Sequence, residues 1–278
     1  MQATICCKGK LISTHLPLVM GILNVTGDSF YDGGNYQTEA QYLKHTEEML
    51  SEGADVIDVG LVSTRPGAKE LEEEEELRRC EQVVTTLTRQ FPETLFSLDT
   101  WRASVARLGV ELGVSVINDI SGGTFDPDMF ETVAALQVPY ILTHTPGKPE
   151  VMQQRTQYQD VVQEVYLFLS QRIRQLRSLN VKDIIVDLGF GFGKTLEQNY
   201  LLLKNMSAFL SLGCPILTAL SRKSMLYKLT GNGPEEALPA TVAAHTIALL
   251  QDSRLLRVHD VKAAKDCIQV WKAFAEIS

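Results

Sequence analysis

The chain has 278 residues, 45% of them hydrophobic, with a mean hydropathy of −0.01, which is enough apolar material for a sizeable core. A net charge of −8 and a pI of about 5.2 argue against a duplex nucleic-acid binder and require any anion site to be local. No window approaches the roughly 18 apolar residues of a membrane span, MQATICCKGK lacks a signal peptide's apolar stretch, and Cys6, Cys7, Cys80, Cys214 and Cys267 form no C-x-x-C pair. The expectation is a cytoplasmic protein with free thiols and no membrane association.

ATICCKGKLIS alternates around Lys8-Gly9-Lys10 and predicts a small hairpin. LVMGILNV (18–25) is a first buried strand. Thr38-Glu-Ala-Gln41 is a capping box that opens a helix, and Gly53 stands where that helix should stop. ADVIDVG (54–60) is a second strand. A helix over 71–90 begins with glutamates at 72–76, which the helix dipole favours at an N-terminus, so the run reads as a solvated face. TLFSLDT (94–100), VSVINDI (114–120) and VPYILTHT (138–145) are strands separated by helices near 102–112 and 127–136. A long amphipathic helix over 158–179 leads to DIIVDLG (183–189), and a second capping box, Thr195 to Gln198, opens a helix to about 211. CPILTALS (214–221), a helix at 239–251, LLRVHDV (255–261) and a terminal helix complete the chain.

Eight strands alternating with helices predict a single α/β domain over 1–278, a (β/α)8 TIM barrel with a short N-terminal β-hairpin plugging its bottom. An open doubly wound sheet is the alternative, because spacing alone does not prove closure. In a closed barrel the loops after the strands share one mouth, so the polar groups at the strand ends would converge there. In strand order these are Asn24, Asp58 with Thr64 and Arg65 in the following loop, Asp99, Asn118, His144, Asp187, Ser221-Arg222-Lys223, and Arg257 with His259.

Asp99, Asn118, Asp187 and Lys223 are donors and acceptors suited to a flat, amide-rich heterocycle, since a carboxylate accepts two N–H groups from a guanidine-like edge. Thr64, Arg65, Arg257 and His259 suit an anion, and Arg257 and His259, two apart on one strand, face the same way. Asn24 can supply an oxygen to Mg²⁺, which takes few protein ligands alongside substrate phosphates. GFGFGKT (189–195) is one residue short of a Walker A loop, with Leu188 where a glycine would stand. Its glycines permit a tight turn, with Phe192 offered for ring stacking and Phe190 read as core. His245, in an apolar helix, reads as structural.

Taken in order, MGILNVTGDSF, DVGLVSTRPGA, SLDT, INDISGG, GFGFGK, SRKSM and LRVHDV resemble dihydropteroate synthase over nearly the whole chain. That family condenses 6-hydroxymethyl-7,8-dihydropterin diphosphate with 4-aminobenzoate, giving 7,8-dihydropteroate and pyrophosphate. It belongs to folate biosynthesis, is the sulfonamide target, requires Mg²⁺ and is usually a homodimer. The resemblance implies that Asp99, Asn118, Asp187 and Lys223 hold the pterin, and that Asn24 reaches Mg²⁺ and the diphosphate. It further implies diphosphate binding by Thr64, Arg65, Arg257 and His259, and a 4-aminobenzoate border of Pro66, Phe192 and Ser221. Asp99, Lys223, Arg257 and His259 would then be the catalytic set of an SN1-like reaction, with no covalent enzyme intermediate.

Gly27, Leu61, Val62, Thr143 and Leu188 depart from the family's usual residues, without removing a charged group assigned to the site. Two alternatives remain at this stage, a non-catalytic pterin-binding paralogue and a methyltetrahydrofolate:corrinoid methyltransferase. The second needs no diphosphate site, and Thr64, Arg65, Arg257 and His259 count against it. Gly27, Gly33, Gly34 and Gly67 make the first two loops the expected least ordered parts.

Overall fold

The computed structural model describes residues 4–25, 38–62 and 71–277. Thr4–Cys7 (β1) and Lys10–Ser13 (β2) form the expected antiparallel hairpin, with Ile5 opposite Ile12 and Lys8 and Gly9 at positive φ in the turn. Eight parallel strands follow. They are Leu18–Asn24 (β3), Val56–Gly60 (β4), Phe96–Asp99 (β5), Val116–Asp119 (β6), Tyr140–Thr143 (β7), Ile184–Asp187 (β8), Ile216–Thr218 (β9) and Leu255–Val258 (β10). Each pairs with the next in chain order, and β10 pairs with both β9 and β3, so the sheet closes into a barrel and not an open sheet.

The helices are Glu39–Ser51 (α1), Glu73–Gln90 (α2), Ala103–Glu111 (α3), Met129–Leu136 (α4), Val161–Ser178 (α5), Leu196–Lys204 (α6), Ser224–Thr230 (α7), Leu238–Leu250 (α8) and Val261–Ala275 (α9). Both capping boxes form at the expected residues. Thr38 N–H donates to Gln41 Oε1 at 2.7 Å, and Thr195 N–H to Gln198 Oε1 at 2.8 Å. None of the described helices is long and apolar enough to cross a membrane.

Strand alternation sorts the barrel's side chains. Outward residues such as Val19, Leu23, Val59, Leu98 and Val186 pack under the helices in one large core. Inward residues Met20, Val56, Val116, Ile141, Ile185, Leu217 and Leu255 form a second apolar cluster that includes Ile5 and Cys7 of the hairpin, which therefore floors the barrel. Two positions further along five of these strands the inward residue is polar, as Asp58, Asn118, Thr143, Asp187 and Arg257, while β3 carries Ile22 and the end of β9 leads to Ala219. Apolar floor and polar mouth thus come from one period-two pattern.

Three elements differ from the expected ones. The helix from Thr195 ends at Lys204, where Asn205 Nδ2 donates back to Leu201 O at 2.8 Å, and Met206–Leu212 continues as a 3-10 turn. Helix α7 was not expected, because SMLYKLT is too short a periodic run to separate from its loop. The glutamate run is not wholly solvated. Glu76 is buried, accepts a bond from Thr100 Oγ1 at 2.7 Å, and pairs with Arg102 from the following strand–helix unit.

Candidate active site

The polar layer is organised around Asp58. Its Oδ2 accepts from Asn118 Nδ2 at 2.9 Å and from Arg257 Nε at 2.7 Å. Arg257 also donates through Nη2 to Asp99 Oδ2 at 3.0 Å. Four strands (β4, β5, β6 and β10) are therefore tied by one hydrogen-bonded set. Arg257, which its spacing from His259 grouped with the anion site, lies here among the carboxylates. Burial pushes Asp99 up to about 7; Arg257 opposes the shift and the Asp58 charge adds to it. The other oxygens, Asp58 Oδ1 and Asp99 Oδ1, are buried with no hydrogen-bond partner among the described residues, as is Thr143 Oγ1. A buried acceptor in that condition is costly, and two such carboxylate oxygens at the mouth suit a ligand edge rich in N–H groups.

Asp187 and Lys223 form the opposite wall. Asp187 Oδ1 accepts from Gly189 N–H at 2.8 Å. Burial raises the Asp187 carboxyl, against Lys223, the Gly189 amide, Arg257 and Lys194. Burial lowers Lys223 to about 8, with Asp187 opposing and Arg257 adding to the fall. Lys223 Nζ donates to Phe190 O and sits 4.7 Å from the centre of the Phe192 ring. Phe190 is fully buried, the expected core residue, while Phe192 is half-buried. The glycine-rich turn is steric: Gly189 has φ +69°, and a Cβ there would stand 1.8 Å from His144 O.

Ser221, His259 and Asn24 lie at the rim. Ser221 Oγ is 3.0 Å from His259 Nδ1 and accepts from His259 N–H at 3.2 Å, joining the ends of β9 and β10. Next to them Arg222 forms a two-pronged ion pair with Asp260 at 3.0 and 2.7 Å. Asn24 closes β3 opposite Gly60 in register, with its Oδ1 only 3.0 Å from where a Gly60 Cβ would be. Thr64, Arg65 and Pro66 lie outside the described residues, as do Gly27, Gly33, Gly34 and Gly67. The structure thus brings together Asp99, Asn118 and Arg257, and separately Asp187, Lys223 and Phe192. It leaves Asn24, Ser221 and His259 at the edge.

Two residues were given no role by sequence reasoning. Asp58 was visible as a strand-end carboxylate, but nothing local marked it as the hub. Lys194 carries no evident role in the sequence once a Walker A loop is excluded. It is buried and bonds to Gly189 O at 2.8 Å and Phe192 O at 3.0 Å, so it holds the loop itself, not a phosphate.

A family model described as pterin binding enzyme matches residues 20–259. The dihydropteroate synthase of Haemophilus influenzae is 39% identical over 270 residues, covering 96% of this chain and 98% of its own. The solved structure of Xanthomonas albilineans dihydropteroate synthase with 4-aminobenzoic acid is 39% identical, with a TM-score of 0.91 and 100% of both chains covered. Yersinia pestis dihydropteroate synthase in a sulfonamide drug complex is 36% identical with a TM-score of 0.92, covering 99% of this chain and 100% of that one.

Proposed function

This chain belongs to the pterin-binding enzyme family, alongside the dihydropteroate synthases, and from that premise we propose how its residues divide the work. The activity is the condensation of 6-hydroxymethyl-7,8-dihydropterin diphosphate with 4-aminobenzoate to give 7,8-dihydropteroate and pyrophosphate, in folate biosynthesis. The observation that carries the reading is the pair of buried carboxylate oxygens on Asp58 and Asp99 that have no hydrogen-bond partner among the described residues, beside Asn118 and within the same polar layer as Asp187 and Lys223. In the proposed division, Asp187, Asn118 and Asp99 receive or complement the N–H groups of the pterin, and Lys223 donates to its carbonyl side.

The C–O bond to the diphosphate breaks first, and its electron pair leaves with pyrophosphate. The ionised Asp99 stabilises the positive charge spreading onto the pterin. The amine of 4-aminobenzoate then donates its lone pair to form the C–N bond, and its surplus proton passes to solvent. Arg257, His259, Thr64 and Arg65 take the diphosphate in this reading; Ser221, Phe192 and Pro66 border 4-aminobenzoate.

Mg²⁺ is proposed on the chemistry of the donor set. Among the described residues no three of His, Cys, Asp and Glu gather as a metal cluster, and Asn24 offers one hard oxygen at the mouth. That suits an ion held chiefly by substrate phosphate and water. When bound it would neutralise charge on the departing diphosphate.

The chain is further proposed to act as one barrel domain over 1–278, in the cytoplasm, where its free cysteines stay reduced. A homodimer is proposed through α8 and the adjoining α9, where Ile247, Leu250, Val270 and Phe274 are exposed. Sulfonamides are proposed to compete at the 4-aminobenzoate subsite. The deciding assay is incorporation of labelled 4-aminobenzoate with the pterin diphosphate, with and without Mg²⁺. Metal-dependent product is the expected result, and no product from folded, pterin-binding protein would overturn the reading.

A further inference from the structure

Lys194 follows the glycine-rich run 189–193, yet its side chain turns back into the fold and is only 6% exposed. Its Nζ donates to Gly189 O and Phe192 O and lies 3.1 Å from Nδ1 of His144, just past β7. No salt bridge reaches Lys194 among the described residues. Burial lowers it to about 7, with Asp187 opposing and Lys223 adding to the fall. Burial likewise drives His144 well below 6.5, so the ring is neutral. The clamp survives in either protonation state of the lysine. An ammonium supplies three donors; an amine keeps two for the carbonyls and accepts Nδ1–H from His144 on its lone pair.

These bonds span a crowded contact. A Cβ on Gly189 would meet His144 O, and one on Gly193 would stand 2.2 Å from Pro146 Cγ, so the loop is pressed against the segment after β7. Lys194 bonds across that same contact. The rest of the loop is tied at other points: Gly191 N–H donates to Asn199 Oδ1 at 2.7 Å, and Gly191 O accepts from Gln153 Nε2 at 2.8 Å. Among the described residues the Phe192 backbone is tied by its own N–H to Gly189 O at 3.1 Å and by the bond from Lys194 to its carbonyl, while its ring packs on the edge of the apolar core and lies against Lys223. An apolar side chain would fill the space of Lys194 with less desolvation, but it could not bond to the Phe192 carbonyl.

We infer that Lys194 is a positioning residue for the second substrate: by joining Gly189, Phe192 and His144 it fixes the Phe192 ring beside Lys223, on the wall that receives 4-aminobenzoate. This rests on the proposed place of Phe192 at that subsite.

The test is steady-state kinetics on the full chain carrying Lys194→Met, with pterin binding followed by calorimetry. Loss of pre-organisation of one ring and its loop should raise the KM for 4-aminobenzoate about tenfold, with kcat within about threefold and pterin affinity within about twofold. A lysine needed only for folding would lower the active fraction, and so kcat, without moving KM. An unchanged KM for 4-aminobenzoate overturns the inference. Phe192→Ala separates it from the subsite reading. If Phe192→Ala leaves KM unchanged while Lys194→Met raises it, the clamp stands and acts through the loop backbone, and the ring's assignment falls. If only Phe192→Ala raises KM, the clamp is wrong. Should Lys194→Met not accumulate as folded protein, His144→Phe removes one of the three partners and keeps the aromatic packing on Phe168. A raised KM in that variant supports the inference, and an unchanged one overturns it.

Discussion

Arg257 Nε and Asp58 Oδ2 meet at 2.7 Å, joining residues 199 apart in sequence at the centre of the polar layer. The Asp58 side chain is fully buried and that of Arg257 only 18% exposed, so each needs the other. Removing one partner of such a pair leaves an uncompensated charge, so Asp58→Ala should lose about 3–5 kcal/mol in urea unfolding. Of its two carboxylate partners among the described residues Arg257 would keep Asp99, and Asn118 would lose the Asp58 acceptor. A fall in kcat/KM of about 100-fold is expected from the misplaced groups. A loss below about 1 kcal/mol, the range of an exposed pair, would show that the contact is not a structural hub.

The pH profile follows from two shifted groups. Asp99 is raised to about 7 and is neutral below that pH, where it cannot stabilise a cation. Lys223 is lowered to about 8 and loses its proton above that pH, and with it a charged donor to the pterin. Activity therefore rises with pH through about 7 and falls through about 8. The kcat/KM for the pterin diphosphate, which reports the free enzyme, should be a narrow bell between these limbs. The acid limb follows the Asp99 carboxyl, whose charged form the Arg257 guanidinium favours against burial. Asp99→Asn should abolish that limb. A flat profile from about pH 6 to 9 would contradict both assignments.

Asp187 and Lys223 are paired electrostatically, and each also faces the proposed pterin. Deleting either charge removes a charge-assisted hydrogen bond of about 1.5–3 kcal/mol, so Asp187→Asn and Lys223→Met should each weaken pterin binding by about 10- to 150-fold in calorimetry. Binding of 4-aminobenzoate to the substrate-loaded enzyme should weaken with it, because the Phe192 ring lies on Lys223. Normal pterin affinity in both variants would remove this wall from the site.

Asp99, Asn118 and Asp187 were legible because each ends an apolar run, and a two-residue strand period carries an inward polar group straight to the barrel mouth. The hairpin floor was legible for the same reason, through alternating Ile5 and Cys7. Contacts between distant units were not legible. Glu76 sits in a run of glutamates whose local pattern is that of a solvated helix start, and only Arg102 and Thr100 bring it inside. The bond from Arg257 to Asp58 was not legible either, because spacing along one strand is visible in a sequence and a carboxylate from β4 is not. Lys194 carried a misleading local signal, a near-match to a phosphate loop, whereas two of its three partners are backbone carbonyls that any sequence would supply and the third is His144.

Gly189 gives the sharpest test of the loop geometry. Its φ of +69° is left-handed, and an added Cβ would stand 1.8 Å from His144 O, a backbone atom held in place by the bond from His144 N–H to Asp187 O at 3.1 Å. Gly231 makes the comparison fair, because its φ is +73° but a Cβ there would meet nothing within 4 Å. Gly231→Ala should cost only the left-handed backbone penalty, about 1–2 kcal/mol, and leave pterin affinity unchanged. Gly189→Ala should cost that amount plus the displacement of the loop from the His144 backbone, about 1–3 kcal/mol more. It should also weaken pterin binding, since Gly189 N–H is a donor to Asp187 and Gly189 O is an acceptor for Lys194. Equal losses of stability in the two variants, measured by urea unfolding, would mean that the loop yields freely. The close approach to His144 would then play no part in holding Asp187.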